Sequence, residues 1–395
     1  MKSPDLSYDL FPTIRKPEGF GSDCRLFVEG RGYSRIADLV GMPIRVWNGN
    51  EFDDAEVADI GSRRLVTLEL MNGLAVDCTP GQQFVIATVK NTHRPYTAQD
   101  LRQKVPLLSR PNWRVMLTNR VPDWRYPYQL PMPAAPRAHN ARMITLDPLA
   151  RDEAQLGEFL GRVATDGSLQ RGSNRMGGTV RLFVAHHERC LKPRLESMLR
   201  RLGRYSVEMD AKHVAQPNKY KPLWRLLICS TTLADQLLRL DIKNDIPSIA
   251  WATSMLLASY VRASFDGDGT VHPDGALLTW GKGDHHLKWA RHIQGALLLL
   301  GIRSRVRVYP GQHGSIRLQI QKRDMPLFCK LVGFMNPAKQ RAADAITGHP
   351  SKGSAAYGRA ISVKSITPNA NRSQLYAIAT RSGRVMVNGV VASVQ

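Results

Sequence analysis

Two stretches of this 395-residue chain end in an Asp-Gly pair. One is Phe159-Leu160-Gly161-Arg162-Val163-Ala164-Thr165-Asp166-Gly167, the other Val261-Arg262-Ala263-Ser264-Phe265-Asp266-Gly267-Asp268-Gly269. Each sets a carboxylate at the end of a run with helical spacing. If the two helices pack side by side, Asp166 and Asp268 meet. Carboxylates in close apposition repel, so each makes the other harder to ionise. A divalent cation removes that cost, and oxygen-rich, cysteine-free surroundings favour Mg²⁺, with Mn²⁺ as a substitute. An ion so held can grip a scissile phosphate, activate water and neutralise the leaving oxygen. Lys243 and Lys339 recur at matching places and can stabilise developing negative charge or assist the water. Asp266 has no acidic counterpart in the first stretch, where Ala164 stands, and reads as a helix-end or supporting residue.

A lone Asp-Gly can simply end a helix. Here the surrounding text repeats as well. Leu156, Phe159, Leu160 and Val163 form an apolar stripe, with Gly157, Gly161 and Ala164 making a small-residue face beside it. Strand-like segments follow each motif, Val180–Val184 in one copy and Ala276–Trp280 in the other. Helices then end at Gly203 and Gly301, and further strands run Trp224–Ile228 and Ile316–Ile320. Asp166 to Asp268 is 102 residues, Gly203 to Gly301 is 98 and Lys243 to Lys339 is 96. The period is too long for a solenoid. The expectation is an α+β fold whose middle, 144–250 and 251–348, is a duplicated αββαββα unit with pseudo-two-fold symmetry.

Composition points to a polyanionic partner. Lys and Arg number 55 against 33 acidic residues, a formal charge of +22, and such an excess attracts a phosphate backbone. Hydrophobic content of 43% is ordinary for a globular chain. The five cysteines are scattered without a CxxC pair, which argues against zinc fingers and a disulfide framework and for a reducing compartment. No apolar run reaches membrane-spanning length, and the polar, Pro-containing start does not read as a secretory signal. A cytoplasmic protein is expected, with no membrane partner and no small-molecule substrate.

The flanks read differently. Residues 1–23 form an irregular leader. From Cys24 to about 105 the chain is β-rich, with turns at Asn48-Gly49 and Asn72-Gly73. Residues 106–143 interleave prolines with Arg110, Arg114, Arg120, Arg125, Trp113, Trp124, Tyr126 and Tyr128, as in an extended arm able to grip nucleic acid or a plain linker. The tail, 349–395, returns to β character. Head and tail are expected to close into one domain split by the insertion of the middle.

The paired stretches resemble the motifs of the LAGLIDADG homing endonucleases. Asp166 and Asp268 match the family's metal-binding catalytic aspartates, and Lys243 and Lys339 fall where the family places a basic residue near the active site. The resemblance covers about 200 residues. It implies a monomer whose two sheets form a saddle on double-stranded DNA, with Arg181, Arg225, Lys282, Arg305, Arg307, Arg317 and Gln319 as candidate contacts in the major groove. It further implies a long target of roughly 20 base pairs.

The flanks are similar to the Hint fold of protein-splicing inteins. Cys24 matches the first residue of an intein, a thiol that attacks the preceding carbonyl. Thr79 fits a block that normally reads T-x-x-H, but Gln82 takes the place of its histidine. Ala377 stands where an Asp or Cys is usual. The closing stretch Asn388–Gln395 lacks the usual His-Asn pair, although Gln395 also carries a side-chain amide able to cyclise. These departures predict impaired splicing. The main expectation is therefore a Mg²⁺-dependent, site-specific DNA endonuclease. The competing ones are a self-splicing protein driven by Cys24 and a non-cleaving, maturase-like DNA- or RNA-binding protein.

Overall fold

The computed structural model describes residues 18–88, 93–108, 113–117, 124–133, 143–171, 178–209, 223–310, 314–347 and 360–394. The chain divides into two compact units, one formed by 1–122 with 354–395 and the other by 123–353.

The first unit is β-rich. Its strands are β1 (Phe20–Gly21), β2 (Arg25–Val28), β3 (Gly32–Arg35), β4 (Ile44–Trp47), β5 (Phe52–Leu70), β6 (Ala75–Cys78), β7 (Gln83–Thr88), β8 (His93–Thr97) and β9 (Trp113–Met116). The C-terminal strands are β18 (Ala360–Ile361), β19 (Val363–Thr380), β20 (Arg384–Val387) and β21 (Val390–Ser393). Head and tail interleave: β19 pairs antiparallel with β5 from Thr380↔Ala55 to Val363↔Leu70, β20 pairs with β2, and β21 pairs with β7. The strand order is β18-β9-β7-β21-β20-β2-β4-β5-β19-β1-β6. Alternation in β4 and β5 buries Ile44, Val46, Ala55 and Val57 and leaves Arg45 and Asp54 outside.

Two details depart from expectation. Phe20 and Gly21, placed in the leader by the sequence, form β1 and pair with Tyr376 and Leu375 of β19. Trp113–Met116, placed in the Pro-rich arm, forms β9 and pairs with β7, Val115 opposite Ile86. Both segments gain backbone partners that local composition does not reveal. A helix, α1 (Ala98–Leu108), precedes β9.

The second unit is mixed α+β. It begins with the short α2 (Asp147–Ala150) and α3 (Glu153–Ala164). Then come β10 (Gly167–Gln170), β11 (Thr179–Ala185), α4 (Lys192–Leu202), β12 (Ser206–Met209), β13 (Leu223–Cys229) and α5 (Thr231–Arg239). The order starts again with α6 (Ser254–Gly267), β14 (Gly269–His272), β15 (Gly275–Gly281), α7 (Asp284–Leu299), β16 (Ser304–Tyr309), β17 (Ser315–Gln321), α8 (Met325–Leu331) and α9 (Pro337–Thr347). The two antiparallel sheets have the same layout, β10-β11-β13-β12 and β14-β15-β17-β16. Within this unit Trp124 is buried and its Nε1–H donates to the Trp251 carbonyl at 2.8 Å.

Helices α3 and α6 lie at the centre. Asp152 caps α3 by accepting from Gln155 N (3.1 Å), and Thr253 caps α6 by accepting from Leu256 N (3.1 Å). The Thr253 hydroxyl also donates to Glu153 at 2.9 Å, which ties the two N-termini together. Leu156, Phe159, Leu160 and Val163 are fully buried, as are Leu256, Leu257, Tyr260, Val261 and Phe265. Between the helices a Cβ on Gly157 would collide with the Leu256 carbonyl and lie 2.9 Å from Ser259 Cβ; one on Gly161 would collide with the Tyr260 carbonyl and lie 2.7 Å from Ala263 Cβ. The glycines are what let the two backbones touch.

Candidate active site

The close packing of α3 and α6 carries through to their C-terminal ends. A Cβ on Gly267 would strike the Asp166 carboxylate, coming within 2.9 Å of its Cγ. Asp268 is the next residue, so the two motif aspartates open onto one small region. Asp268 is exposed, and Asp166 keeps 21% of its side-chain surface.

The lysines meet these helix ends in parallel fashion. Lys243 Nζ donates to the carbonyls of Ala164 (2.9 Å) and Gly167 (2.5 Å) at the end of α3. Lys339, in the first turn of α9, donates from Nζ to the carbonyls of Phe265 (3.3 Å), Asp266 and Gly267 (3.4 Å) at the end of α6. Both cations satisfy carbonyls that a helix terminus leaves unpaired and sit at the negative end of its dipole.

Electrostatics tie the four groups together. Burial raises the Asp166 carboxyl above its ordinary range; Arg162 opposes this and Glu188 adds to it. Partial desolvation by the two helix ends around it, then the charge of Asp166, raises Asp268, although its side chain still reaches solvent. Burial lowers Lys243, while Asp166 and Asp268 pull it back up. Lys339 is lowered by burial against the opposing pull of Glu188, Asp266 and Asp166. The charge of Asp166 thus reaches Asp268 across the two helix ends.

The two halves are not equivalent. Arg162, buried, donates from Nη1 to Asp166 Oδ2 at 2.7 Å and to the buried Glu188 Oε1 at 3.0 Å. The residue matching Arg162 in the second copy is Ser264, whose hydroxyl turns back to the Tyr260 carbonyl at 3.2 Å. Asp268 thus stays open while one oxygen of Asp166 is held. Asp266 is buried and accepts from Met335 N (2.9 Å) and Asn336 N (3.0 Å), so its carboxylate anchors the chain entering α9. Sequence reasoning passed over Arg162 and Glu188. The i,i+4 spacing of Arg162 and Asp166 was a usable signal. Glu188 lies in a 3-10 turn after β11 and had none.

Among the described residues no group of three or more His, Cys, Asp or Glu is placed to hold a metal. Two carboxylates are hard oxygen donors, a set that suits a divalent cation able to take its remaining ligands from water and phosphate oxygens.

The candidate DNA-contact residues lie on the solvent side of the two sheets. Arg181 on β11 and Arg225 on β13 belong to the first sheet; Arg305 and Arg307 on β16, with Arg317 and Gln319 on β17, belong to the second. Lys282 is exposed just after β15.

In the β-rich unit Cys24 is buried. Its Sγ lies 3.4 Å from the Asp77 carbonyl and 3.9 Å from Asn388 Nδ2, and burial with the nearby Asp77 charge pushes the thiol up to about 12. Asn388, at φ 49°, also accepts from Arg25 N at 2.8 Å and donates to the Ala75 carbonyl at 2.9 Å. Thr79 Oγ1 accepts from Gly19 N at 3.2 Å and donates to Glu18. Gln82 is buried and donates to the Ser393 carbonyl at 2.7 Å. Ala377 is buried opposite Ala58. Gln395 lies outside the described residues, as do Arg110, Arg120 and most of the leader. A thiol held protonated at neutral pH is a poor nucleophile. Iodoacetamide at pH 8 should therefore modify the exposed Cys190 and Cys229 and spare Cys24 until the protein is unfolded, as peptide mass mapping will show.

No helix among the described residues is long and apolar enough to cross a membrane. No family model matches the chain. Over 112 residues it is 33% identical to the large subunit of ribonucleoside-diphosphate reductase from Invertebrate iridescent virus 6, a match spanning 25% of this chain and 12% of that protein. Among solved structures it is similar to the homing endonuclease I-DmoI in complex with DNA and Ca, at 13% identity and a TM-score of 0.35, covering 49% of this chain and 96% of the other. The complex of the same protein with DNA and Mn gives 14% identity and a TM-score of 0.34, covering 45% and 94%. A variant of the Ssp DnaB mini-intein gives 18% identity and a TM-score of 0.19, covering 22% and 57%.

Proposed function

We propose that the second unit is a site-specific DNA endonuclease that makes a Mg²⁺-dependent double-strand break by phosphodiester hydrolysis, acting as a monomer. The observation that carries the reading is the convergence of Asp166 and Asp268 at two touching helix ends, each backed by a lysine from its own half. A chain of charge +22 supplies the attraction to DNA.

Asp166 and Asp268 would hold a divalent ion, Mg²⁺ or Mn²⁺ in its place, which would supply polarisation of the scissile phosphate and a more acidic water. The protein's own groups do the rest. Asp166 and Asp268 offer hard oxygen donors, and Arg162 fixes the orientation of Asp166 through the 2.7 Å bond to Oδ2. Lys243 and Lys339 hold the ends of α3 and α6 and keep positive charge beside the two aspartates, where it would stabilise charge developing on a bound phosphate. The test is incubation of a supercoiled plasmid library with the purified chain. Linear product with Mg²⁺ and none with EDTA is expected; binding without any nicking in Mg²⁺ or Mn²⁺ favours the maturase-like reading instead.

For the β-rich unit, the contact of Cys24 with Asp77 and Asn388 favours a splicing-type domain whose chemistry is impaired. Gln82 supplies no imidazole to polarise an amide, and the buried thiol stays protonated. Prolonged incubation should leave the chain at full length. Release of a Met1–Asp23 fragment, abolished by Cys24→Ala, would restore the splicing reading.

A further inference from the structure

The two sheets share a register, so their solvent-facing side chains can be matched rung by rung. Gly167 opposes Leu182 in the first and Gly269 opposes Leu278 in the second. One residue further, Phe183 pairs with Arg225, which pairs with Glu208. The matching rung reads Thr279, Arg317, Arg307. The adjacent rung is Arg181, Leu227, Ser206 in the first sheet and Leu277, Gln319, Arg305 in the second.

The same backbone scaffold thus carries different charge. In the first sheet Glu208 lies 3.7 Å from Arg225, whose guanidinium also sits 6.0 Å from the Phe183 ring centroid. The central arginine there is already compensated. In the second sheet the place of the glutamate is taken by Arg307. Arg317 lies 4.6 Å over the exposed Tyr309 ring, and among the described residues none of Arg305, Arg307 and Arg317 pairs with a carboxylate. Like charges on neighbouring strands destabilise a sheet. This cost is offset when a polyanion lies on the face. Arginine gives both phosphate contacts and bidentate contacts to guanine.

We infer that duplex DNA is held unequally, with the β14-β15-β17-β16 sheet as the principal grip, through Arg305, Arg307 and Arg317, and the β10-β11-β13-β12 sheet as a weak one. The inference rests on the DNA-binding part of the proposed function but not on cleavage. The probe is a labelled 30-base-pair duplex of mixed sequence, followed by anisotropy at several salt concentrations.

Arg305→Gln/Arg307→Gln/Arg317→Gln should weaken binding about 10-fold or more and reduce the slope of log K against log salt by roughly 2–3, at about 0.9 for each phosphate no longer neutralised. Arg181→Gln/Arg225→Gln should weaken it by less than about 3-fold, because one of its arginines is already compensated. Glu208→Arg should tighten binding and Arg307→Glu should loosen it, each by a few-fold. All these residues are on sheet surfaces, and unchanged circular dichroism separates weaker binding from misfolding. Equal effects from the two sheets, or no gain from Glu208→Arg, overturn the inference. A wild-type chain that does not bind the duplex overturns the DNA reading itself, and tighter binding of an RNA of the same length overturns the choice of DNA as partner.

Discussion

Asp268→Asn is expected to abolish cleavage and slightly stabilise the protein. Asparagine keeps the shape of the side chain but loses the charge. Losing one carboxylate of the proposed metal site should remove about 4 kcal/mol of transition-state stabilisation, a ~10³-fold drop in rate. In the protein alone, the same change relieves repulsion with Asp166. Asp268 is exposed and its carboxylate has no hydrogen-bond partner among the described residues, so the gain should be under about 1 kcal/mol. Asp166→Asn should match the loss of cleavage without that gain, because it strips Arg162 of one partner in a buried ion triad. Parallel rate measurements and thermal melts check both halves. Retained cleavage in both variants contradicts the site, and equal melting shifts contradict the inequality of its halves.

The second large effect concerns the helix pair. Gly161→Leu should destabilise the second unit by about 3 kcal/mol or more, since the new side chain meets the Tyr260 carbonyl backbone and not a movable side chain. For a unit of this size that is a melting shift of roughly 6–12 °C. Leu160→Met, a volume-conserving change at a fully buried neighbour, should cost less than about 1.5 kcal/mol. Should the leucine at 161 be tolerated with unchanged melting and cleavage, α3 and α6 cannot be in backbone contact. Gly161→Leu should also lower cleavage beyond its effect on folded fraction, because it pushes apart the helix ends that bring Asp166 to Asp268.

How much of this was readable follows from the range of each interaction. The motif aspartates, the apolar stripe Leu156-Phe159-Leu160-Val163 and the small-residue face are local periodicities, and a linear text preserves them. The lysines were readable because the repeat supplied their offset. What they touch was not: their bonds to the helix-end carbonyls arise only once Lys243 and Lys339 fold back on α3 and α6. The Arg162–Glu188 bond spans 26 residues and a strand, so no spacing rule finds Glu188. In the β-rich unit, proline density concealed β9, whose strand conformation comes from pairing with β7. Cys24 stood out from its sequence context, but its contact with Asn388 is made across 364 residues.

The most direct test of the central claim is sequencing of the DNA ends made by the wild-type chain from a randomised plasmid library in Mg²⁺, beside the Asp166→Asn/Asp268→Asn double variant. Wild-type ends should recur at one long site, disappear with EDTA and be absent from the double variant. Ends made equally well by the double variant, or no recurring wild-type ends in either Mg²⁺ or Mn²⁺, would contradict it.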